Sequence, residues 1–244
     1  MSGEHIILTK GLWKNFGEKT AVRGLDLSIY EKEVFGLLGV NGAGKTTLIK
    51  MLCRMLTPTE GEILIKGKLL DDYEAKKMIN LSPQETAVAL NLTVLENLEL
   101  MTGLYGIPPE KARINIAKVM EEFNLQEVAG SKAKTLSGGW QRRLSIAMAM
   151  VTEPEILFLD EPTLGLDVIA RRELWQTIKE IKKRTTIVLT THYLEEAENL
   201  CDRIGIMAKG SLRGVGTAEE IKTMAGCDRF EDAFIELAGG KRRD

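Results

Sequence analysis

The chain has few cysteines and almost no net charge. Its three cysteines lie far apart, in neither a disulfide nor a metal-binding spacing, as is typical of proteins from a reducing compartment. Its 33 basic and 35 acidic residues leave a formal charge of −2. Proteins that coat nucleic acid are usually strongly basic, so we expect no nucleic-acid partner.

The chain also lacks long hydrophobic runs. The longest unbroken apolar stretch, residues 146–151, has six residues, whereas a helix that spans a membrane needs about 20. The first ten residues carry no basic-then-apolar signal pattern. Together with a length sufficient for a substantial core, these absences predict a soluble, cytoplasmic, globular protein.

Strand-like and helix-like segments alternate along much of the chain. Residues 34–38 form a continuous apolar run, typical of a strand buried on both faces. Apolar residues then recur with helical spacing over residues 45–56, up to Pro58 and Gly61. This alternation predicts an α/β fold with a mostly parallel sheet covered by helices. Further strands are predicted at 21–29, 62–66, 156–159, 186–189 and 204–207, and further helices at 170–183 and 195–201.

The middle of the chain is predicted to be helical. Thr93 and Glu96 have the spacing of a capping box, for a helix that runs to Leu100. A second helix is predicted at 110–123, after two prolines. We therefore expect one domain with three subdomains and a charged, solvated tail at 241–244. The expected bounds are 1–87 with 152–225 for the catalytic core and a β subdomain, 88–151 for the helical subdomain, and 226–244 for a C-terminal extension.

Residues 39–46 match the pattern G-x-x-x-x-G-K-[ST] without a mismatch, between the buried strand and the amphipathic helix. In such a phosphate loop, glycines let backbone N–H groups close around phosphate oxygens at a helix N-terminus. Lys45 supplies a charge for the β- and γ-phosphates, and Thr46 a hydroxyl for Mg²⁺. A chance glycine-rich turn is the alternative, which the flanking strand and helix disfavour.

Two carboxylates follow the apolar strand at 156–159. Asp160 should emerge at the C-terminal tip of this strand, where parallel α/β sheets bind their ligands. Asp160 can hold Mg²⁺, and Glu161 can polarise an attacking water as a general base. The alternative is an ordinary strand that ends in surface carboxylates, and the phosphate loop makes it less favoured.

A second anion-binding pattern lies at residues 136–139, where a leucine, a serine and two glycines precede a predicted helix. Two copies placed head to tail could bring Ser137 of each to the phosphates of the other. From the residues alone, a plain helix N-cap with flexible glycines is the favoured interpretation.

Three isolated residues complete the candidates. His192 follows the strand at 186–189 and could donate to a γ-phosphate. Gln84 has an amide that could bind Mg²⁺ and water. Phe16, in a predicted polar loop, could stack on a base. Each has a simpler alternative: a loop histidine, a surface turn residue, and an aromatic that covers core, for which Trp13 competes with Phe16.

Taken together, these residues resemble the nucleotide-binding subunit of ATP-binding cassette (ABC) transporters. The order of motifs is that of the family, and the match covers about residues 5–220. The signature at 136–139, between Gln84 and Asp160, is specific to this family and overrides the plain N-cap. The motifs are the A-loop aromatic Phe16, Walker A at 39–47, the Q-loop at Gln84, the signature at 136–139, Walker B at 156–160 followed by Glu161, the D-loop at 165–167 and the switch histidine His192.

The resemblance implies a P-loop NTPase (RecA-like) core with an N-terminal antiparallel β subdomain and a helical signature subdomain. It implies two protomers that sandwich two ATP molecules, each between Walker A of one and the signature of the other. It also implies a separate transmembrane permease, linked through Gln84, and a peripheral location on the inner face of the cell membrane. Catalytic roles fall to Lys45, Gln84, Glu161 and His192, Mg²⁺ contacts to Thr46, Gln84 and Asp160, and ATP contacts to Phe16, Gly39, Asn41, Gly42, Ala43, Gly44, Lys45, Thr46, Thr47, Gln84, Leu136, Ser137, Gly138, Gly139, Asp167 and His192.

Two positions depart from the family pattern. Trp140 stands where glutamine is commonest, so a glutamine contact to the nucleotide would be lost or replaced. The D-loop has Gly165 before its leucine, where alanine is frequent. The D-loop, residues 91–97 and residues 230–234 look most like exporters of the ABC-2 kind, whose membrane subunits are separate chains.

The leading hypothesis is therefore an ATP hydrolase that powers export. The alternative within the family is a soluble ABC ATPase that acts in assembly or nucleic-acid metabolism. A P-loop kinase or GTPase is disfavoured, because the chain has the signature and lacks an Asn-Lys-x-Asp guanine motif.

Overall fold

The computed structural model describes residues 4–69 and 72–239. The chain forms two compact units: unit 1 comprises Met1–Lys77 and Thr186–Asp244, and unit 2 comprises Met78–Thr185. The predicted charged tail at 241–244 lies outside the described residues.

The elements alternate as the sequence predicts for an α/β chain. The strands are β1 (His5–Phe16), β2 (Lys19–Tyr30), β3 (Val34–Gly39), β4 (Glu60–Ile65), β5 (Ile79–Ser82), β6 (Ile156–Asp160), β7 (Thr186–Thr191), β8 (Arg203–Ala208) and β9 (Ser211–Gly216). The α-helices are α1 (Lys45–Leu52), α2 (Asp72–Met78), α3 (Val94–Leu104), α4 (Pro109–Glu122), α5 (Gly138–Met150), α6 (Val168–Ile181), α7 (Leu194–Leu200), α8 (Ala218–Ala225) and α9 (Phe230–Leu237).

Unit 1 contains an antiparallel sheet in the order β2-β1-β4. Phe16 is the last residue of β1 and pairs with Lys19 across a two-residue turn. Gly17 supplies the positive φ of 57° that this turn requires. The prediction that Phe16 lies in a loop was therefore wrong, because the pairing of β1 and β2 extends to the turn itself.

Unit 1 also contains parallel strands in the order β7-β3-β8, with β9 antiparallel to β8. All six residues of β3 are buried, as its continuous apolar run predicts. Its Leu38 joins a core cluster with Ile204 and Ile206 of β8, and residues of α7, α8 and α9 pack against them. The predicted fold class, a parallel core with a separate antiparallel sheet, is confirmed.

Helix α1 is shorter than its apolar spacing predicts, since it ends at Leu52 rather than near Leu56. Arg54 adopts a left-handed φ of 59°. The amides of Met55 and Leu56 both bond to the carbonyl of Lys50, at 2.8 and 3.0 Å. These backbone bonds close the helix well before Pro58 and Gly61.

Unit 2 combines the parallel pair β5 and β6 with helices α3 to α6. The predicted capping box of α3 is present, because Thr93 and Glu96 each accept a bond from the other's backbone amide. Helix α3 runs to Leu104 instead of ending at Leu100.

Among the residues that the structure describes, no helix has both the length and the apolar character needed to cross a bilayer. The three cysteines form no disulfide bond with one another. Within the same residues, no group of three or more histidine, cysteine or acidic side chains is arranged to hold a metal ion.

Candidate functional site

The phosphate loop of unit 1 runs from the end of β3 to the start of α1. Gly44, the N-cap of α1, has φ 106°, and a Cβ there would lie 2.5 Å from the carbonyl oxygen of Ala21. A Cβ at Gly39 would lie 2.5 Å from the carbonyl oxygen of Met207. Only glycine fits at both positions, because the backbones of β2 and β8 approach too closely for any side chain.

Lys45 is 7% exposed and folds back across this loop. Its Nζ donates to the carbonyl oxygens of Gly39, at 2.7 Å, and of Val40, at 3.4 Å. Thr46 is exposed in the first turn of α1, where helix N–H groups lack intrahelical partners. The loop thus presents an ammonium group, a hydroxyl and a helix N-terminus, which is the chemistry that binds phosphate.

The other predicted residues of the loop differ in how far they are buried. Asn41 and Gly42 are exposed, whereas Thr47 is half-buried. Ala43 is buried, and its carbonyl accepts a 3.0 Å bond from the amide of Gly210. The loop is therefore anchored at Ala43, on the turn between β8 and β9, and open at Asn41 and Gly42.

His192 lies at the same edge of the unit 1 sheet as the phosphate loop. Strands β3 and β7 are parallel, with Leu38 opposite Thr191, so both chains leave the sheet at this edge. The imidazole is exposed and lies 4.3 Å from the ring of Tyr193, between centroids. The structure thus brings together two motifs that are about 150 residues apart in the sequence.

Phe16 is 49% exposed at the end of β1, and Nζ of Lys14 lies 5.2 Å from its ring centroid. Its competitor Trp13 is half-buried, with its indole nitrogen 3.3 Å from the position of a Cβ on Gly24. Trp13 therefore covers the sheet, and Phe16 is the aromatic with a face available for stacking.

Unit 2 carries the two predicted carboxylates at the tip of β6. Asp160 is the last residue of the strand and is 8% exposed. Glu161 follows with a left-handed φ of 48°, which is unusual for a residue with a side chain. This sharp change of direction turns the chain out of the sheet directly after Asp160.

Arg142 is a site residue that sequence reasoning missed. Arg142 is 5% exposed, and its guanidinium donates to the carbonyl oxygens of Pro83, at 2.7 Å, and Gln84. Burial lowers the pKa of Arg142, while the charges of Asp160 and Glu161 raise it. Ser145 and Ala149, which lie three and seven residues after Arg142 in α5, also bond to β5. This helical spacing places the three residues on one face of α5, but it does not reveal the partner of Arg142.

The signature motif begins α5. Ser137 is the N-cap residue, with an extended backbone, and its side chain caps no amide of the helix. A Cβ at Gly138 would have no atom within 4 Å. The helix N-terminus is therefore open to an approaching group, which is the geometry that an anion needs.

The signature and the D-loop line one open cleft of about 540 Å³. Asp167 N-caps α6, because its Oδ1 accepts bonds from the amides of Ile169 and Ala170, both at 2.9 Å. The guanidinium of Arg143 lies 5.1 Å from the ring of Trp140 and forms an ion pair with Glu173. Trp140, which stands where glutamine is commonest in the family pattern, thus has Arg143 as its neighbour.

A larger cleft of about 740 Å³ lies between α4 and α6, lined by charged residues that include Lys118, Glu122 and Arg184. It contains none of the predicted site residues. Size alone therefore does not identify the functional surface of unit 2.

Residues 22–164, more than half of the chain, match the sequence model of the family described as ABC transporter. The chain belongs to this family, and the predicted resemblance is confirmed. The alternative of a P-loop kinase or GTPase outside the family, which the sequence already disfavoured, is thereby excluded.

Two relatives of the chain are named for drug resistance or multidrug transport. The chain is 40% identical over 236 residues to the daunorubicin resistance ATP-binding protein DrrA3 of Streptomyces coeruleorubidus, covering 96% of this chain and 74% of that protein. It is 38% identical over 243 residues to the probable multidrug ABC transporter ATP-binding protein YbhF of Escherichia coli, covering 96% of this chain. The chain spans only 42% of the length of YbhF.

Solved structures agree with this assignment. An ATP-binding subunit of an ABC transporter has a TM-score of 0.85 at 28% identity, over 95% of this chain and 99% of that one. A dimeric ATP-binding cassette bound to ADP and phosphate after hydrolysis has a TM-score of 0.77 at 29% identity, over 86% and 98%.

Proposed function

We propose that this chain is the ATP-hydrolysing subunit of an ABC exporter. The observation that carries the proposal is that two helix N-termini have anion-binding chemistry. Lys45 and Thr46 lie at the N-terminus of α1, and Ser137, whose side chain caps no amide of its own helix, lies at the N-terminus of α5. One such site suffices for a simple nucleotide-binding protein. A second site, formed by the family signature, suits a protein whose two copies share their nucleotides.

In this proposal Lys45 binds the β- and γ-phosphates, and His192 binds the γ-phosphate. The backbone of the loop holds the phosphate oxygens, and Phe16 stacks on the base. Further contacts are proposed for Gly39, Asn41, Gly42, Ala43, Gly44, Thr46, Thr47, Gln84, Leu136, Ser137, Gly138, Gly139 and Asp167.

Mg²⁺ contacts are proposed for Thr46, Gln84 and Asp160. Their hydroxyl, amide and carboxylate oxygens are the hard donors that this ion prefers, and the nearly buried Asp160 presents its charge at a strand tip. When bound, the ion neutralises charge on the phosphate oxygens.

Glu161 is the proposed general base. Its carboxylate would accept a proton from the attacking water, and the left-handed backbone directs the residue away from the strand. Lys45 and the loop amides would stabilise the charge that develops on the phosphate, so catalysis rests on positioning and electrostatics.

ATP is proposed to join two nucleotide-binding subunits, and hydrolysis to release them. The subunits would act on a separate transmembrane permease at the inner face of the cell membrane. This proposal is supported by the solved dimer bound to ADP and phosphate and by relatives that are named for drug resistance and multidrug transport.

The first test is Glu161→Gln. We expect this variant to bind ATP, to lose turnover by about 10²-fold or more, and to form dimers that persist with ATP on gel filtration. Glu155→Gln, an exposed residue just before β6, is the matched control and should hydrolyse ATP normally. Native turnover by Glu161→Gln would contradict the assignment of the base.

The second test concerns the partner. The tagged chain is purified from solubilised membranes, and proteins that accompany it are identified by mass spectrometry. An exporter subunit should bring down a polypeptide with several membrane-spanning segments. Recovery of a soluble partner alone would instead favour the non-transport ABC ATPase.

A further inference from the structure

Helix α5 and strand β5 are joined by side-chain bonds along their length. Nδ2 of Asn80 donates to the carbonyl of Ala149 at 3.1 Å, and the hydroxyls of Ser82 and Ser145 bond at 3.0 Å. The third connection is Arg142, which donates to two carbonyls just beyond the end of β5.

These connections follow one face of the helix. Positions 142, 145 and 149 have the spacing i, i+3 and i+7 that places them in a row. Their partners run the opposite way along the chain, from 84 and 83 through 82 to 80. The row therefore begins where the signature helix begins and reaches the loop that contains Gln84.

Arg142 is the strongest of the three connections. Two nitrogens of one rigid guanidinium bind the carbonyl oxygens of Pro83 and Gln84, whereas a lysine ammonium has no planar fork. A nearly buried cation is costly unless it is paired. Burial lowers the pKa of Arg142, and the opposing charges of Asp160 and Glu161 offset part of this effect.

We propose that Arg142 is a positioning residue that clamps the backbone at Gln84 to the signature helix, so that α5 and this loop move as one body. Arg142 lies one helical turn after Gly139, so a displacement at the signature is carried directly to Gln84. The proposal rests on the proposed function, because it assigns the clamp to the ATPase cycle. Gln84 itself is exposed, which leaves its side chain available while its backbone is held.

The kinetic test compares Arg142→Lys, Gln84→Ala and the double variant. We expect Arg142→Lys to lower kcat about tenfold, with KM for ATP changed less than about twofold, because it loses charge-assisted bonds to the backbone at Pro83 and Gln84 and removes no side chain proposed to contact ATP. If Arg142 acts through Gln84, the same substitution should have little further effect in the Gln84→Ala background. Independent, multiplying losses of kcat would overturn the proposal.

The matched control is Arg184→Lys. Arg184 also belongs to unit 2 and pairs with Glu122 at 2.6 Å, a contact that lysine can retain. Its kcat should remain at the wild-type value. An equal loss of kcat in this control would mean that the effect is not specific to the clamp.

A second readout does not depend on hydrolysis. Glu85, next to the clamp, is exposed, so a glutamate-specific protease reports on release of this loop. Cleavage after Glu85 should be several-fold faster in Arg142→Lys and Arg142→Gln, relative to cleavage after the exposed Glu18 in the β1–β2 turn. Wild-type cleavage in both variants would overturn the clamp, even if the chain proved to have no ATPase activity.

Discussion

Leu38 lies directly opposite Thr191 in the parallel pairing of β3 and β7. The next residues along each strand lead into the phosphate loop and to His192, so both motifs start from one edge of one sheet. This register places His192 at the same edge of the sheet as the loop that carries Lys45, as their proposed contacts with one nucleotide require.

Lys45→Ala tests the phosphate loop. The variant loses a charged donor to phosphate, a type of bond worth about 1.5–3 kcal/mol. We therefore expect the affinity for ATP to fall about tenfold or more, as measured by titration calorimetry. Lys50→Ala, on the exposed side of α1, is the control and should bind normally. An unchanged Kd for Lys45→Ala would contradict the assignment of the loop.

Gly44→Ala and Gly42→Ala separate backbone strain from steric overlap. Both glycines have positive φ, so each alanine costs about 1–2 kcal/mol of strain. At Gly44 the new Cβ would also overlap the carbonyl oxygen of Ala21, whereas at Gly42 it would meet open space. We expect urea unfolding to show a clearly larger loss of stability for Gly44→Ala. Equal losses would mean that the loop moves away from β2 without cost.

Asp167 has an observed role as the cap of α6 and a proposed role at the interface of the dimer. Asp167→Ala should lower the free energy of unfolding by about 1 kcal/mol, while Asp167→Asn keeps the cap and should not. In the Glu161→Gln background, we expect Asp167→Asn to weaken ATP-dependent dimers on gel filtration. Dimers of undiminished stability in Asp167→Asn would leave Asp167 as a cap alone.

Glu33 makes stability depend on pH. It accepts bonds from the amide of Tyr30 at 2.9 Å and from Arg203 at 3.2 Å, but burial raises its pKa above the ordinary value of 4.5. The folded state thus holds this proton more firmly than the unfolded state. The contribution of Glu33 is most favourable below pH 4.5 and declines as the pH rises through the raised pKa.

Glu33→Gln should remove this part of the pH dependence. We expect its free energy of unfolding, relative to wild type, to improve as the pH rises from 4.5 toward neutrality. Urea unfolding across this range measures the difference. Parallel pH profiles for the two proteins would contradict a raised pKa at Glu33.

The elements that local sequence predicted well are those whose causes are local. The run before Gly39 is apolar without interruption, and it forms a fully buried strand. Thr93 and Glu96 are three residues apart and form the expected capping box. In contrast, the apolar periodicity predicted an α1 that is about one turn too long. The helix ends before Arg54, which adopts a left-handed backbone conformation, and no glycine or proline at this position signals the end.

Arg142 shows why part of the candidate site could not be predicted. Its partners, Pro83 and Gln84, precede it by 59 and 58 residues. No pattern in the residues around Arg142 distinguishes it from Arg143, which points to Trp140 and Glu173 instead. Which of two consecutive arginines is buried depends on the face of α5 that packs against β5.

The sequence by itself determined the phosphate loop, the signature, the tip of β6 and hence the family, because each depends on residues that are contiguous and require one backbone path. Only the tertiary structure decided which distant residues contact these segments. It placed Ala21 against Gly44, Thr191 opposite Leu38, and Arg142 beneath Gln84. Such contacts depend on packing and strand register between distant segments, and local sequence does not specify them.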